Sequence, residues 1–453
     1  VSSAAGSPEP PASKGARPVW SLHVLVVGLA LHNLVMSQLY RAGVRGATLS
    51  AIASWKDVLL VGALAVALWG RRGRGFAFRP VDWLALAFGA FVVVYAVIPQ
   101  SVLGGGATHK GVLYGTRHDL LPVLAYFLGR VLALTRTERS RLCRTVLATA
   151  AGVAAYGLID VYVVPLSWWR QSAGWFSDQL GLSYHGLSGL PENFVYNEGG
   201  GVVFRRLTST FLSPLASSYL LVVALLFVPL RGRRWGPPLA ALLFAALLAT
   251  HTRAALLALV VGLLVIAVLR RALFPVGLAV VVAVLALVFV ESYHHLGPRT
   301  HFTPTELAQQ EANAHKHPTT NNDPTSANES SANEHLASLR AGIRTAVHHP
   351  FGFGIGNAGV TAVRTKVTVE AGESTYTELA VETGLLGGLV FIAWSLALFA
   401  RLRRVPWLAG AFAALLFVGL QTDVIGIPWI AVVVWAFAGA EVSRESAGAA
   451  TIP

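Results

Sequence analysis

The 453-residue chain is 54% hydrophobic and only 13% charged, about half the charged share of an ordinary soluble domain, which excludes a soluble globular fold. Its net charge of +13 would suit a nucleic-acid binder, but no basic, aromatic-studded soluble segment is present. Lys and Arg gather in the cytoplasmic loops of membrane proteins for topological reasons, and the single cysteine, Cys143, excludes an internal disulfide framework or a cysteine-built metal site.

Residues 1–19 are Pro- and Ser-rich and read as a disordered cytoplasmic N-terminus. The apolar run after them ends on no small-residue cleavage site, so it reads as a retained helix. Runs near the roughly 20 residues that cross a bilayer fall at 20–40, 52–69, 82–98, 119–135, 143–164, 210–230, 235–251, 253–269, 273–292, 376–399, 405–421 and 424–441. They predict an all-α, polytopic transmembrane bundle of about twelve spans. The first is weak, because it holds His23, His32, Asn33 and Gln38.

The basic residues test this assignment. With the N-terminus inside, loops 70–81, 136–142, 231–234, 270–272 and 400–404 are cytoplasmic, and each is an Arg cluster, from Arg71 and Arg72 to Arg403 and Arg404. Removing or adding one span would put some of these clusters outside. The chain then divides into a tail of 1–19, nine spans over 20–292, a large extracytoplasmic loop over 293–375, three spans over 376–441, and a cytoplasmic tail over 442–453. The expected location is the cytoplasmic (inner) membrane, with both termini in the cytoplasm. Within the large loop, residues 315–335 are poor in apolar side chains and read as a flexible excursion. Beyond them Leu336, Leu339, Ile343 and Val347 recur at helical spacing. They predict a short amphipathic helix on the membrane surface or over a cavity.

Four polar motifs lie at the external ends of spans. In the first, Phe204 to Pro214, Arg205 and Arg206 stand against the topological trend. They are either snorkelling side chains or a phosphate clamp, since guanidinium groups bind phosphate oxygens bidentately. In the second, Thr250-His251-Thr252-Arg253, Arg253 again sits where cations should be scarce. The bland reading is a capping turn with Thr252 as cap. The third, His348 to Asn357, combines His348 and His349 with glycines that permit sharp turns. No carboxylate lies at metal-ligand spacing, so no metal site is expected. The fourth, Gly372 to Gly387, places Glu373 at the membrane surface and Glu378 and Glu382 four apart on one helix face. Glu373 either complements a helix N-terminus or does chemistry. Carboxylates at membrane depth need partners, and Arg205, Arg206 or Arg253 could supply them.

At these motifs (RRLTSTFLSP, THTRAALLAL, HHPFGFGIGN and ESTYTELAVETGLLGG) the chain resembles the O-antigen ligase and O-antigen polymerase superfamily over about residues 200–395. The resemblance implies glycosyl transfer at the outer face of the membrane without metal or other cofactor. The donor it implies is a polyprenyl-diphosphate-linked glycan, the acceptor a glycan, lipid or protein. Partners would include the bilayer and a chain-length regulator or export protein, with no nucleic acid. The family's diphosphate-holding arginines map onto Arg206 (or Arg205) and Arg253, and its catalytic His and following Asn onto Glu373 and Ser374. His349, Ser374, Tyr376, Glu378 and Glu382 would support the site. The glutamate in place of histidine departs from the family pattern and counts against the ligase subtype.

A transporter or flippase for a lipid-linked or anionic substrate is the alternative, since twelve spans with both ends inside is a common transporter plan. Against it stand the lack of a visible internal repeat and the outward clustering of the motifs, where transporters bind near the midplane. A polyprenyl-phosphate-sugar glycosyltransferase would need acidic residues in the first external loop, and Arg41 to Ser54 contains none.

Overall fold

The structure is a computed structural model that describes residues 17–72, 76–180, 190, 194–197, 203–300, 303–305, 307–308, 311–312 and 330–449. The expected N-terminal disorder (1–19) lies outside these residues up to position 16, and the expected flexible excursion (315–335) lies outside them over 315–329.

The helices follow the apolar runs. α1 (Trp20–Arg41), α2 (Gly46–Ala53), α3 (Trp55–Trp69) and α4 (Pro80–Val97) are followed by the single turn α5 (Gln100–Leu103). The long helices α6 (His109–Leu132) and α7 (Arg136–Val163) come next, then the short α8 (Leu166–Arg170) and α9 (Ala173–Leu180). Strands β1 (Val195–Asn197) and β2 (Val203–Arg205) precede α10 (Pro214–Phe227), α11 (Gly232–Ala249), α12 (Arg253–Arg270) and α13 (Phe274–Leu296). After β3 (Arg299–Thr300) come α14 (Ser330–His348), α15 (Gly359–Thr365), α16 (Thr375–Glu382), α17 (Gly384–Leu402), α18 (Pro406–Val418) and α19 (Pro428–Ala449). Local chemistry sets many boundaries. Thr135 and Glu138 cap α7 reciprocally, Thr135 Oγ1 accepting from Glu138 N at 3.2 Å and Glu138 Oε2 from Thr135 N at 2.8 Å.

Among the described residues, seven helices are long and apolar enough to cross a membrane, and four shorter apolar helices join them. The chain is thus a helical, polytopic membrane protein. Every expected span contains a helix, with α6 at the fourth position. The large apolar side chains left uncovered, such as Val280, Val284, Leu287 and Val288 of α13, suit contact with lipid.

Three features depart from the sequence reading. The tenth expected span is two helices, because the chain turns at Gly384, whose φ of +75° lies in the left-handed region. α19 continues to Ala449, into the expected tail. The all-α architecture also carries a small antiparallel sheet in the order β1-β2-β3. Val203, Phe204, Val195 and Tyr196, β-branched or aromatic, suit pleated pairing. The sheet ties the segment before α10 to the one after α13.

Two helix crossings are closed by glycine. Gly129 of α6 lies on the Ala436 carbonyl of α19, and Gly439 of α19 on that of Tyr126, with no room for a Cβ at either. Gly262 of α12 and Gly410 of α18 face each other in the same way. One end of the bundle is fastened by ion pairs, the innermost of them buried. Arg130 meets Asp82 at 2.6 Å, and Tyr126 donates to the same carboxylate at 2.5 Å. Arg139 pairs with Glu441, and Arg17 with Glu138 at 2.6 Å. Both described termini therefore lie at the end that carries the Arg-rich loops 70–81 and 136–142.

Candidate functional site

The opposite end of the bundle holds the polar motifs. The turn between α11 and α12 puts His251 in a left-handed conformation (φ +49°), which a non-glycine residue adopts at a cost of about 1–2 kcal/mol. The turn directs its polar groups at Arg206, which donates to the Thr250 carbonyl at 2.9 Å, the His251 carbonyl at 3.3 Å and Thr252 Oγ1 at 3.1 Å. Thr252 stands at the cap position of α12 without a side-chain capping bond. Its hydroxyl serves Arg206 instead. Arg206 and Arg253 lie within electrostatic reach of each other. Burial pushes the Arg206 guanidinium down to about 10, with the like charge of Arg253 contributing, so Arg206 remains cationic at neutral pH.

Aromatic side chains line this cluster. The His251 ring packs between Tyr196 and Tyr293, with centroids 4.2 and 4.4 Å away. Burial, and then the charges of Arg206 and Arg253, push the imidazole down to about 3. His251 is therefore neutral, and its Nε2 is buried with no hydrogen-bond partner.

Arg205 plays another part. Its side chain is buried, 3.3 Å from Asp160 of α7, and donates to the Val164 carbonyl. The Asp160 carboxylate also accepts from Trp169 Nε1 at 2.8 Å. Arg205 is thus held in a structural ion pair, and of the two adjacent arginines it is Arg206 that joins Arg253. The rest of the motif plugs the bundle. Ser209 donates to the Val153 carbonyl and Thr210 to that of Ala30, each at 2.6 Å.

Glu373 is exposed and pairs with His335 of α14, Oε2 to Nδ1 at 2.9 Å. It lies within electrostatic reach of Tyr219 on α10, which is in turn within reach of Arg206. The Tyr219 hydroxyl donates to Thr422 at 3.3 Å. Arg253 and Arg206, Arg206 and Tyr219, and Tyr219 and Glu373 are thus each within electrostatic reach of one another. Ser374 and Tyr376 do not join it through their hydroxyls, which donate to the carbonyls of Gly419 at 3.0 Å and Leu416 at 2.7 Å. His349 is exposed, its ring against Phe353 at 4.5 Å.

Glu378 and Glu382 do not pair with the arginines. They belong to a second, buried cluster around His118, whose Nδ1 is 2.7 Å from Asp119 and Nε2 2.6 Å from Asp423. Glu382 accepts from the backbone N–H groups of Gly356 at 2.9 Å and Ala358 at 3.3 Å. It fixes the glycine motif, whose Gly356 (φ +90°) lies against the backbone of Gly111 on α6. Glu378 rests on Gly359, and its Oε1 and Asp119 Oδ2 are buried without a hydrogen-bond partner. The reason is proximity: α16 packs its acidic face toward α6 and the Asp423 loop, not toward the turn of Arg253. Sequence reasoning missed His118, Asp119, Asp423, Asp160, His335 and Tyr219. A charge within an apolar run was the available signal for Asp119 and Asp160. Among the described residues, no group of three or more His, Cys, Asp or Glu could hold a metal ion.

Residues 238–392 match the family described as O-antigen ligase. The match takes in the Arg253 turn, α14, the glycine motif and Glu373, and supports the O-antigen ligase and polymerase-like superfamily for this chain. The protein is a multi-pass membrane protein with a region typical of a glycan-handling enzyme family. No curated protein matches the chain.

Proposed function

We propose that this protein is a membrane glycosyltransferase that polymerises or transfers polyprenyl-diphosphate-linked glycans at the outer face of the cytoplasmic membrane. In this reading the Arg-rich end of the bundle faces the cytoplasm, and the end with Arg206, Arg253 and Glu373 faces outward. The observation that carries it is the seating of Arg206 on the turn that leads into Arg253, with Arg206 and Glu373 both within electrostatic reach of Tyr219. Two guanidinium groups within electrostatic reach of each other could take the two phosphates of a carrier lipid.

The acceptor oxygen forms a bond to the anomeric carbon as the bond from that carbon to the diphosphate breaks. The electron pair leaves on the diphosphate, where Arg206 and Arg253 neutralise the growing charge. Glu373 marks the basic end of the site, which must dispose of the acceptor proton. No metal and no cofactor enters this scheme.

The test is the glycan profile of a deletion strain complemented with wild type, Arg253→Ala or Glu373→Gln, with protein levels measured by blotting. Loss of long glycan with build-up of a lipid-linked repeat unit would assign polymerisation. Full-length lipid-linked polymer left untransferred would assign ligation. Unchanged profiles at normal protein levels would sink the proposal. They would favour the transporter or flippase, a reading to which the buried carboxylates around His118 lend structural support.

A further inference from the structure

We propose that His335 and Glu373 act as one catalytic unit, in which the imidazole takes the acceptor's proton and the carboxylate holds the ring in place. The inference rests on the glycosyl-transfer reading and assigns the step it leaves open, the identity of the base. The two residues stand far apart in sequence and belong to different elements, yet His335 Nδ1 is 2.9 Å from Glu373 Oε2.

The contact is built into the packing of α14. Gly372, next to Glu373, has no room for a side chain because Ser338, one turn beyond His335, fills the space. Farther along, Gly342 of α14 sits on Thr377 of α16 so closely that a Cβ would lie 2.7 Å from the threonine side chain. Two glycine contacts thus seat the helix that carries His335 against the segment that carries Glu373.

Placement and access fit the role. Glu373 and Arg206 both lie within electrostatic reach of Tyr219, which puts the unit at the same end of the bundle as the arginine that would hold the leaving group. The His335 and Glu373 side chains are 37% and 64% exposed, as an acceptor arriving from the aqueous side requires. An exposed ion pair of this kind adds little stability, so fastening α14 does not by itself account for it.

A carboxylate that accepts from Nδ1–H fixes the neutral tautomer whose lone pair is on Nε2. As the acceptor oxygen bonds to the anomeric carbon, its proton passes to Nε2, and the diphosphate departs with the electron pair of the broken bond. The imidazolium, held beside Glu373, then returns its proton to water. Nothing further is consumed.

The experiment uses the full-length protein in proteoliposomes with a polyprenyl-diphosphate-linked oligosaccharide as donor. His335→Ala should lower kcat by roughly 10²–10⁴-fold, leave KM for the donor unchanged, and recover part of the rate when imidazole is added. Gly342→Val, which unseats α14 but keeps the imidazole, separates chemistry from folding: it should lose activity without rescue. Full kcat in His335→Ala beside a collapsed rate in Arg206→Ala and Arg253→Ala would overturn the unit and leave the transfer reading standing. Identical, unrescued behaviour of His335→Ala and Gly342→Val would also overturn it. No transfer by the wild type from such a donor would remove the transfer reading, and the unit with it.

Discussion

Arg205 is the last residue of β2 and Arg206 follows it in extended chain, so their side chains leave on opposite faces. One guanidinium meets Asp160 and the other the Thr250–Thr252 turn. Their substitutions should separate accordingly. Asp160→Ala strands a buried cation and should cost about 3–5 kcal/mol, seen as lost protein level and a lower Tm in detergent. Arg206→Ala should keep more of the protein and lose the product. His251 adds a pH dependence. Its folded value, about 3, lies below the ordinary 6.5, so its contribution is complete above pH 6.5 and is lost as the pH falls toward 3. At pH 5 the loss should be about 2 kcal/mol, and His251→Phe should flatten the fall of Tm between pH 7 and 5. Arg206 and Arg253 stand out in the sequence, because cations at span ends assigned to the outside contradict the topological trend. The division of labour between Arg205 and Arg206 was not legible there, since it depends on which face of a short strand meets α7. The His335–Glu373 pair was illegible for a stronger reason: only tertiary packing brings α14 to the start of α16.

The helices themselves were legible because hydropathy reports burial in lipid directly. What hydropathy does not report is where two backbones touch or where an apolar run breaks. Gly439→Ala should push α19 off the Tyr126 carbonyl of α6 and lower Tm by several degrees. Gly152 of α7, with nothing within 4 Å of its would-be Cβ, is the control, and its change to Ala should be neutral or stabilise by up to about 1 kcal/mol. Gly384 supplies the break. A side chain there would meet both the left-handed backbone and the Tyr95 hydroxyl, 2.6 Å from the Cβ position. Gly384→Ala should therefore reduce stability by at least about 1–2 kcal/mol, read by thermal unfolding in detergent. The amphipathic helix was expected from Leu336, Leu339, Ile343 and Val347. α14 occupies that stretch, yet it packs inward through Gly342 and Ala346 and leaves Leu336, Ile343 and Val347 exposed.

For the molecule as a whole, the ion pairs place the Arg-rich loops 70–81 and 136–142 and both described termini at one end. Membrane sidedness follows as a prediction. In a Cys143→Ser background, a cysteine at Arg72 should react with an impermeant maleimide only after the membrane is opened, and one at Lys366 should react from outside in intact spheroplasts. The reverse pattern would invert the topology and with it the proposed outward-facing site.

The sheet has a consequence for how such a protein can vary. β3 is pinned to β2, the Tyr293 hydroxyl donates to the Arg205 carbonyl, and α14 is seated through Gly342 and Gly372. Both ends of the stretch between Thr300 and Ser330 are therefore clamped independently of its length. Closing a longer loop between fixed ends costs only about 0.6 kcal/mol per doubling. Insertions there, even of a whole epitope, should leave the arginine turn and Glu373 in register, so this stretch can change in size and content while the anchors on either side of it do not move.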